Sequence, residues 1–405
     1  MKEVLTAKAK GLNESLARFS RKIADCDSTG SNVPEFTRLI SEEMEKLDFD
    51  NVSCDSAGNI IGVIKGYQDK GSLVLLSHLD IPSTAQAKSE SCFKSGMIKF
   101  KAGIIASLYA GALTKRTLQP LTGDLVVCCA PRMEACDFGV KHLFEKHLKT
   151  KLKKIRGAVL CEPTGFNINL GHKGRMEYEI IVRGRLSRNF LENQGMNMLG
   201  TMFPLISELE KVSKQLPSDS NLGYSNLRIK DVRCSGYQTH DQLSEFRVVV
   251  DRIFIPEENL SSILNKAKTI ALDVYKGEPD VVINTVLASE KIKTCSGVDL
   301  VFEKELKPWV MESHQPFALD SLKSLTDSGF KSSFGYWKKI STDGSYTCAE
   351  LKIPTIGFGA GTEDQIDSGI ESLSMDKLER AVYGHALIIQ RNIGVPTFGW
   401  SSDEI

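Results

Sequence analysis

A chain of 405 residues exceeds what one hydrophobic core usually holds, so two domains are expected. Lys+Arg and Asp+Glu are equal at 51 each, hydrophobic residues make up 41% and charged residues 25%, a balance that gives no reason to expect nucleic acid, an acidic polymer or a membrane surface as partner. Met1-Lys2-Glu3-Val4-Leu5 puts an acidic residue where a signal peptide would be basic, and the most apolar helical stretch, Ala102 to Leu113, is too short to span a bilayer, so a cytoplasmic location is expected.

Leu12, Leu16, Phe19 and Ile23 recur at helical spacing, and a second amphipathic helix is predicted from Pro34 to Leu47. Strands are predicted at 52–54 and 59–64. Leu73 to Leu76 is a short apolar run of the kind found in buried parallel strands. A core helix over Ala102 to Thr114, a strand from Leu125 to Cys129, a helix from Phe138 to Leu148 and a strand from Gly157 to Cys161 follow. This alternation predicts an α/β domain with a mostly parallel sheet.

The rhythm changes near Met176. A strand (177–182), a helix (198–215), two long strands (227–232 and 245–253), a helix (257–275) and an extended segment (280–287) give the order βαββαβ of a small α+β module. The α/β style returns after residue 300, with a helix over 317–328 and a strand over 355–358. The expected organisation is therefore 1–175 with 301–405 as one domain, and 176–300 inserted within it.

Ser77-His78-Leu79-Asp80 closes the strand at 72–76, which places an imidazole and a carboxylate at the C-terminal edge of a sheet, where α/β enzymes assemble their sites. His78 and Asp80 point to the same side of an extended segment, so the carboxylate can hold one ring nitrogen while the other binds a metal. The ten cysteines show no Cys-x-x-Cys or zinc-ribbon spacing and read as reduced core or surface thiols. Cys136 and Cys161 each lie within two residues of an acidic candidate.

Asp55-x-x-Gly58-Asn59-Ile60-Ile61-Gly62, Ser77-His78-Leu79-Asp80-Ile81-Pro82, Leu160-Cys161-Glu162-Pro163-Thr164, Gly171-His172-Lys173-Gly174-Arg175, Ser341-Thr342-Asp343-Gly344 and Ile353-Pro354-Thr355-Ile356-Gly357-Phe358-Gly359-Ala360-Gly361 form an ordered set. Together they resemble the zinc-dependent amidohydrolase and exopeptidase family of acetylornithine deacetylase, succinyl-diaminopimelate desuccinylase and the aminoacylases. Members use two zinc ions about 3.5 Å apart, bridged by an aspartate and a water, with a glutamate as general base. The resemblance implies that His78 and Glu162 bind one zinc and Glu134 the other, with Asp80 orienting His78. It also implies that the inserted domain acts as a lid or a dimer surface.

The departures fall on the chemistry. Lys99 stands at the bridging position, and no aspartate occurs from Ile81 through Gly123. The paired glutamates become Met133-Glu134, so a thioether that cannot move a proton occupies the general-base position. The distal histidine is replaced by Asp367, still a possible ligand, and the histidine contributed by the inserted domain aligns near Arg188.

Glu134, Glu162 and Asp367 would bring three negative charges into one partly desolvated cleft, where unpaired anions are expensive. Lys99 together with one divalent ion balances them, and so do protonation, Lys99 and a cationic ligand; none or one zinc is expected. Arg175, Arg188 and Arg252 are candidate carboxylate binders, and Gly359 and Gly361 could present backbone N–H groups to a ligand carboxylate. The expectation is a pseudoenzyme that binds a small amino-acid-like ligand or assembles with another protein, as a homodimer or hetero-assembly. The alternative is an active amide hydrolase, a deacylase or dipeptidase, with a one-metal site.

Overall fold

The computed structural model describes residues 11–26, 33–68, 71–80, 100–117, 120–132, 136–184, 198–235, 244–278, 281–293, 299–368 and 372–394. Lys99, Met133, Glu134 and Arg188 lie outside the described residues, and of Asp80 only the strand backbone is described. The chain divides into two compact units: one of Met1–His172, Lys293–Leu300 and Val310–Ile405, the other of Lys173–Ile292 and Val301–Trp309.

The first unit opens with helices α1 (Asn13–Asp25) and α2 (Val33–Lys46). Leu16, Phe19 and Ile23 of α1, and Phe36, Leu39, Ile40 and Met44 of α2, are buried at the spacing that makes one apolar face. Strands β1 (Asn51–Cys54) and β2 (Ile60–Ile64) follow as an antiparallel pair, then β3 (Ser72–Asp80). Helix α3 (Ala102–Arg116) is buried from Ala102 through Thr114, which its run of small and apolar residues permits. Next come β4 (Leu125–Arg132), α4 (Phe138–His142), which widens into a π-turn over Leu143–His147, β5 (Ile155–Leu160) and β6 (Ile168–His172).

The second unit runs β7 (Gly174–Gly184), α5 (Met198–Ser213), β8 (Asn226–Ser235), β9 (Ser244–Phe254), α6 (Leu260–Val274) and β10 (Val282–Leu287). Its five-stranded sheet has the order β8-β9-β7-β10, with Glu305–Leu306 also paired to β7, and every pairing is antiparallel. Met176, Tyr178, Ile180 and Val182 alternate along β7 into a core with Phe246, Val248 and Val250 of β9, Leu205 and Leu209 of α5, and Ile263, Ala267 and Ala271 of α6. The intervening positions carry charge: Arg247 reaches Glu179 at 2.7 Å and Arg183 reaches Glu245 at 2.6 Å. Period-two alternation of this kind marks a sheet with one face on a core. Asn259 caps α6, its side chain accepting from Ser262 N–H at 2.9 Å.

The chain then completes the first unit with α7 (Pro316–Thr326), β11 (Phe334–Trp337), β12 (Thr355–Gly357), α8 (Glu363–Asp367) and α9 (Met375–Ile393). Its nine-stranded sheet runs β1-β2-β4-β3-β5-β12-β6, with β11 paired to β6 and Trp309–Val310 at the far end. The centre, where β4, β3, β5 and β12 lie side by side, is parallel, while β1 and β2 are antiparallel additions. This is the mixed α/β class expected from the alternation of elements.

Helix α3 sits unusually close to the sheet. A Cβ on Gly103 would lie 2.0 Å from the Cys161 carbonyl oxygen, so only glycine lets the helix reach the strand end that leads into Glu162.

Candidate functional site

Three parallel strands end together. In register, His78 of β3 lies opposite Ala130 and Asp80 opposite Arg132 of β4, while Leu76 lies opposite Leu160 of β5, two residues before Glu162. The sheet thus delivers His78, Arg132 and Glu162 to one carboxyl edge.

His78 Nδ1 is 2.7 Å from Glu162 Oε1, with both side chains almost fully buried. Phe100 packs against the imidazole, ring centroids 5.8 Å apart. Arg132 Nη1 lies 3.5 Å from the same Glu162 oxygen, and Arg132 Nη2 donates to the Ser341 carbonyl. One carboxylate therefore sits between an imidazole and a guanidinium. The guanidinium is fastened to the loop at 341–344.

That loop carries a second acid. Asp343 is buried, and burial pushes its carboxyl up to about 6 even though Arg132 and His78 pull it down. Among the described residues its Oδ1 has no hydrogen-bond partner. His172 holds the loop in place: the Thr342 N–H donates to His172 Nε2 at 2.8 Å.

Burial pushes the Cys136 thiol up to about 12 and Cys161 further, so without a metal both are held as thiols. Among the described cysteines, Cys128 and Cys129 are buried too, whereas Cys54 and Cys234 are exposed.

The other described sequence candidates each have local partners. Asp367 is 53% exposed and pairs with Lys339 at 2.6 Å. Arg175 pairs with Asp251 at 3.0 Å. Arg252 is buried, with Glu258 and the carbonyls of Asn226 and Ile253 as acceptors. Gly359 gives its N–H to Thr164 Oγ1 at 3.1 Å, which engages the donor a ligand carboxylate would need. Gly361, in the left-handed region at φ 84°, accepts from Gly165 N–H. From the stretch aligned with the bridging segment, the described lysine is Lys101, whose ammonium caps the Ala24 and Cys26 carbonyls at the end of α1.

Arg132 and Asp343 are the site residues the sequence reading did not single out. Arg132 directly precedes Met133, and Asp343 lies inside a motif already noted. A role for either follows only from the fold.

Donor chemistry tests the two-zinc set. Among the described residues no third His, Cys, Asp or Glu joins His78 and Glu162 in ligand range; the one such group of three is Asp55, His142 and His147. The further partner of Glu162 is a cation, Arg132. The described residues fit a carboxylate partnered by an imidazole and an arginine, while Glu134 and Lys99 of the two-ion set lie outside them.

No protein-family model matches the chain. It is 24% identical over 379 residues to the uncharacterized protein YgeY of Escherichia coli (strain K12), covering 90% of this chain and 91% of that one. Two solved structures share its fold. The di-peptidase Dug1p from Saccharomyces cerevisiae superposes with a TM-score of 0.68 at 11% identity, covering 97% of this chain and 98% of that chain. The YXEP protein of Bacillus subtilis, described as a dinuclear metal-binding peptidase of the M20 family, gives 0.65 at 13% identity, covering 94% and 98%. The chain has the fold of these peptidases, with a largely parallel sheet in one unit and an antiparallel sheet backed by two helices in the other.

Proposed function

We propose that the protein is a pseudoenzyme on a metallopeptidase scaffold, which binds a small amino-acid-like ligand, or assembles with another protein, without rapid amide hydrolysis. The observation that carries this reading is Arg132 beside Glu162. The resemblance assigns Glu162 to a zinc ion, and a guanidinium at 3.5 Å supplies the positive charge that the carboxylate would otherwise draw from the metal. Met133 at the general-base position and Lys99 at the bridging position point the same way. A homodimer or hetero-assembly through the second unit, and a cytoplasmic location, belong to the same proposal.

A second reading keeps one zinc on His78 and Glu162 and retains slow amide hydrolysis. It is favoured by the 2.7 Å contact of these two side chains, which are already paired as zinc-ligand types. A panel of N-acyl amino acids and dipeptides, assayed with zinc, cobalt and manganese, separates the two. Loss of a general base alone costs about 10² to 10⁴ in rate, so negligible turnover is expected. Metal-dependent hydrolysis at ordinary enzyme rates, abolished by Glu162→Gln, would establish the second reading and overturn the first.

A further inference from the structure

A second group of ligand-type side chains shares no residue with the His78–Glu162 pair. Asp55 follows β1, while His142 ends α4 and His147 ends its π-turn, and one ligand atom from each lies within 4.8 Å of the other two. Asp55 Oδ2 is 2.9 Å from His142 Nδ1 and 3.3 Å from His147 Nε2. The Asp55 side chain is only 2% exposed, His142 23% and His147 40%, so a buried anion is closed off by two imidazoles that reach solvent.

Local structure explains why the three meet. Asp55 Oδ1 accepts the N–H groups of Ala57 and Asn59, and Asn59 Nδ2 donates both to Asp55 Oδ2 and to the Gly139 carbonyl. The loop is thereby fastened to the start of α4. On a regular α-helix, residues five apart point about 140° away from each other. Here Leu148 N–H donates to Leu143 C=O, an i to i+5 bond that widens the turn, and the two imidazole centroids come to 6.1 Å. Local π-turns of this kind recur at functional sites.

The outer nitrogen of His142 is also engaged, with Nε2 3.2 Å from Ser56 Oγ. Without a metal, Nδ1–H donates to Asp55 Oδ2 and Nε2 accepts from the Ser56 hydroxyl; with Nε2–H donating to that hydroxyl instead, Nδ1 offers a lone pair on the Asp55 side where an ion can take it up. A hydroxyl or carbonyl that fixes the tautomer in this way is the usual support of a metal-bound histidine.

We propose that Asp55, His142 and His147 form a binding site for a divalent transition-metal ion, zinc by its ligand type, with the remaining position open to water. Two neutral imidazoles and one carboxylate are a common zinc donor set. The ion clips the loop after β1 to the helix that follows β4. This site is independent of hydrolysis and of whether His78 and Glu162 hold a metal.

The test uses the full chain, stripped with chelator and dialysed against zinc alone. His147→Gln changes a half-exposed side chain and is expected to leave the metal-free melting temperature unchanged while weakening zinc binding at least tenfold. Ser56→Ala, which removes the hydroxyl beside His142, should weaken it about 10- to 100-fold. Glu162→Gln should leave this ion in place. Zinc bound equally by the parent and His147→Gln overturns the proposal. So does loss of the only bound zinc in Glu162→Gln, a result that would instead support a metal on His78. Parent protein that binds no zinc also overturns it, because two imidazoles on one carboxylate oxygen would then be held by protons alone.

Discussion

Arg132 and Glu162 bring opposite charges to 3.5 Å where the two side chains are 10% and 3% exposed, with His78 on the same Glu162 oxygen at 2.7 Å. Removing the arginine leaves the carboxylate with the imidazole alone and forfeits a charge-assisted contact, a loss of about 1–3 kcal/mol. Arg132→Met is therefore expected to lower stability by about that amount in the absence of metal. It should also create a zinc-dependent gain in melting temperature that the parent lacks. Melts of both proteins with and without zinc check this, in a His147→Gln background so that the two sites stay separate.

Two buried titratable groups of the first unit act on stability in opposite directions. Burial raises Asp343 from 3.8 to about 6 and lowers His385 from 6.5 to about 3. Between roughly pH 4 and 6 the folded state holds a proton on Asp343 that the unfolded chain has released, so this group's contribution is lost as pH rises through about 6. His385, packed edge-on against Phe358 at 5.0 Å, is neutral when folded and charged when unfolded below pH 6.5. Its contribution is lost as pH falls from 6.5 towards 3. Each slope is on the order of 1.4 kcal/mol per pH unit, so the two offset each other between pH 4 and 6. Relative to the parent, Asp343→Asn should lose stability with acid across that window, and His385→Phe should gain it. Denaturant midpoints at several pH values measure both.

Gly103→Ala tests whether the helix really abuts the strand end. The new methyl would meet the Cys161 carbonyl, a backbone atom with little room to yield. Overpacking of this kind costs about 1–3 kcal/mol, and here the shift would move Glu162 as well. A loss of stability is expected, together with altered exchange of the Glu162 amide. A neutral substitution would mean that α3 does not lie where the structure places it.

Arg252→Ala should destabilise the second unit by about 3–5 kcal/mol, because Glu258 would be left without its partner beside a buried strand. Separate melting transitions, or limited proteolysis of the second unit, would show where the loss falls.

The parallel strands and the βαββαβ order were legible because each rests on a local pattern: the continuous apolar run at Leu73–Leu76, and the alternation of Met176, Tyr178, Ile180 and Val182. The His78–Glu162 contact was legible only through the ordered motifs, since the two residues are 84 positions apart. Arg132 was passed over because an arginine at a strand end reads as solvated until the loop at Ser341 is seen to cover it. His142 and His147 are not legible as a pair because their spacing of five matches no face of a regular helix; the widened turn that aligns them closes on the Leu148 N–H to Leu143 C=O bond. Helix α9, absent from the sequence reading, mixes Glu379, Arg380 and Arg391 with a face buried over Ala386–Ile389, and its burial is settled by contacts distant in sequence.

The uneven exposure of the described thiols gives each unit its own spectroscopic handle. Cys54 is exposed at the end of β1, one residue from Asp55, and Cys234 is exposed near the end of β8, whereas the four thiols packed around the sheet edge are buried and protonated. A thiol-reactive dye will partition by solvent access and thiolate fraction. With the other cysteines replaced, a dye on Cys54 reports on the environment of Asp55, and a dye on Cys234 in a second variant reports on the antiparallel sheet. Events in the two units are then followed separately.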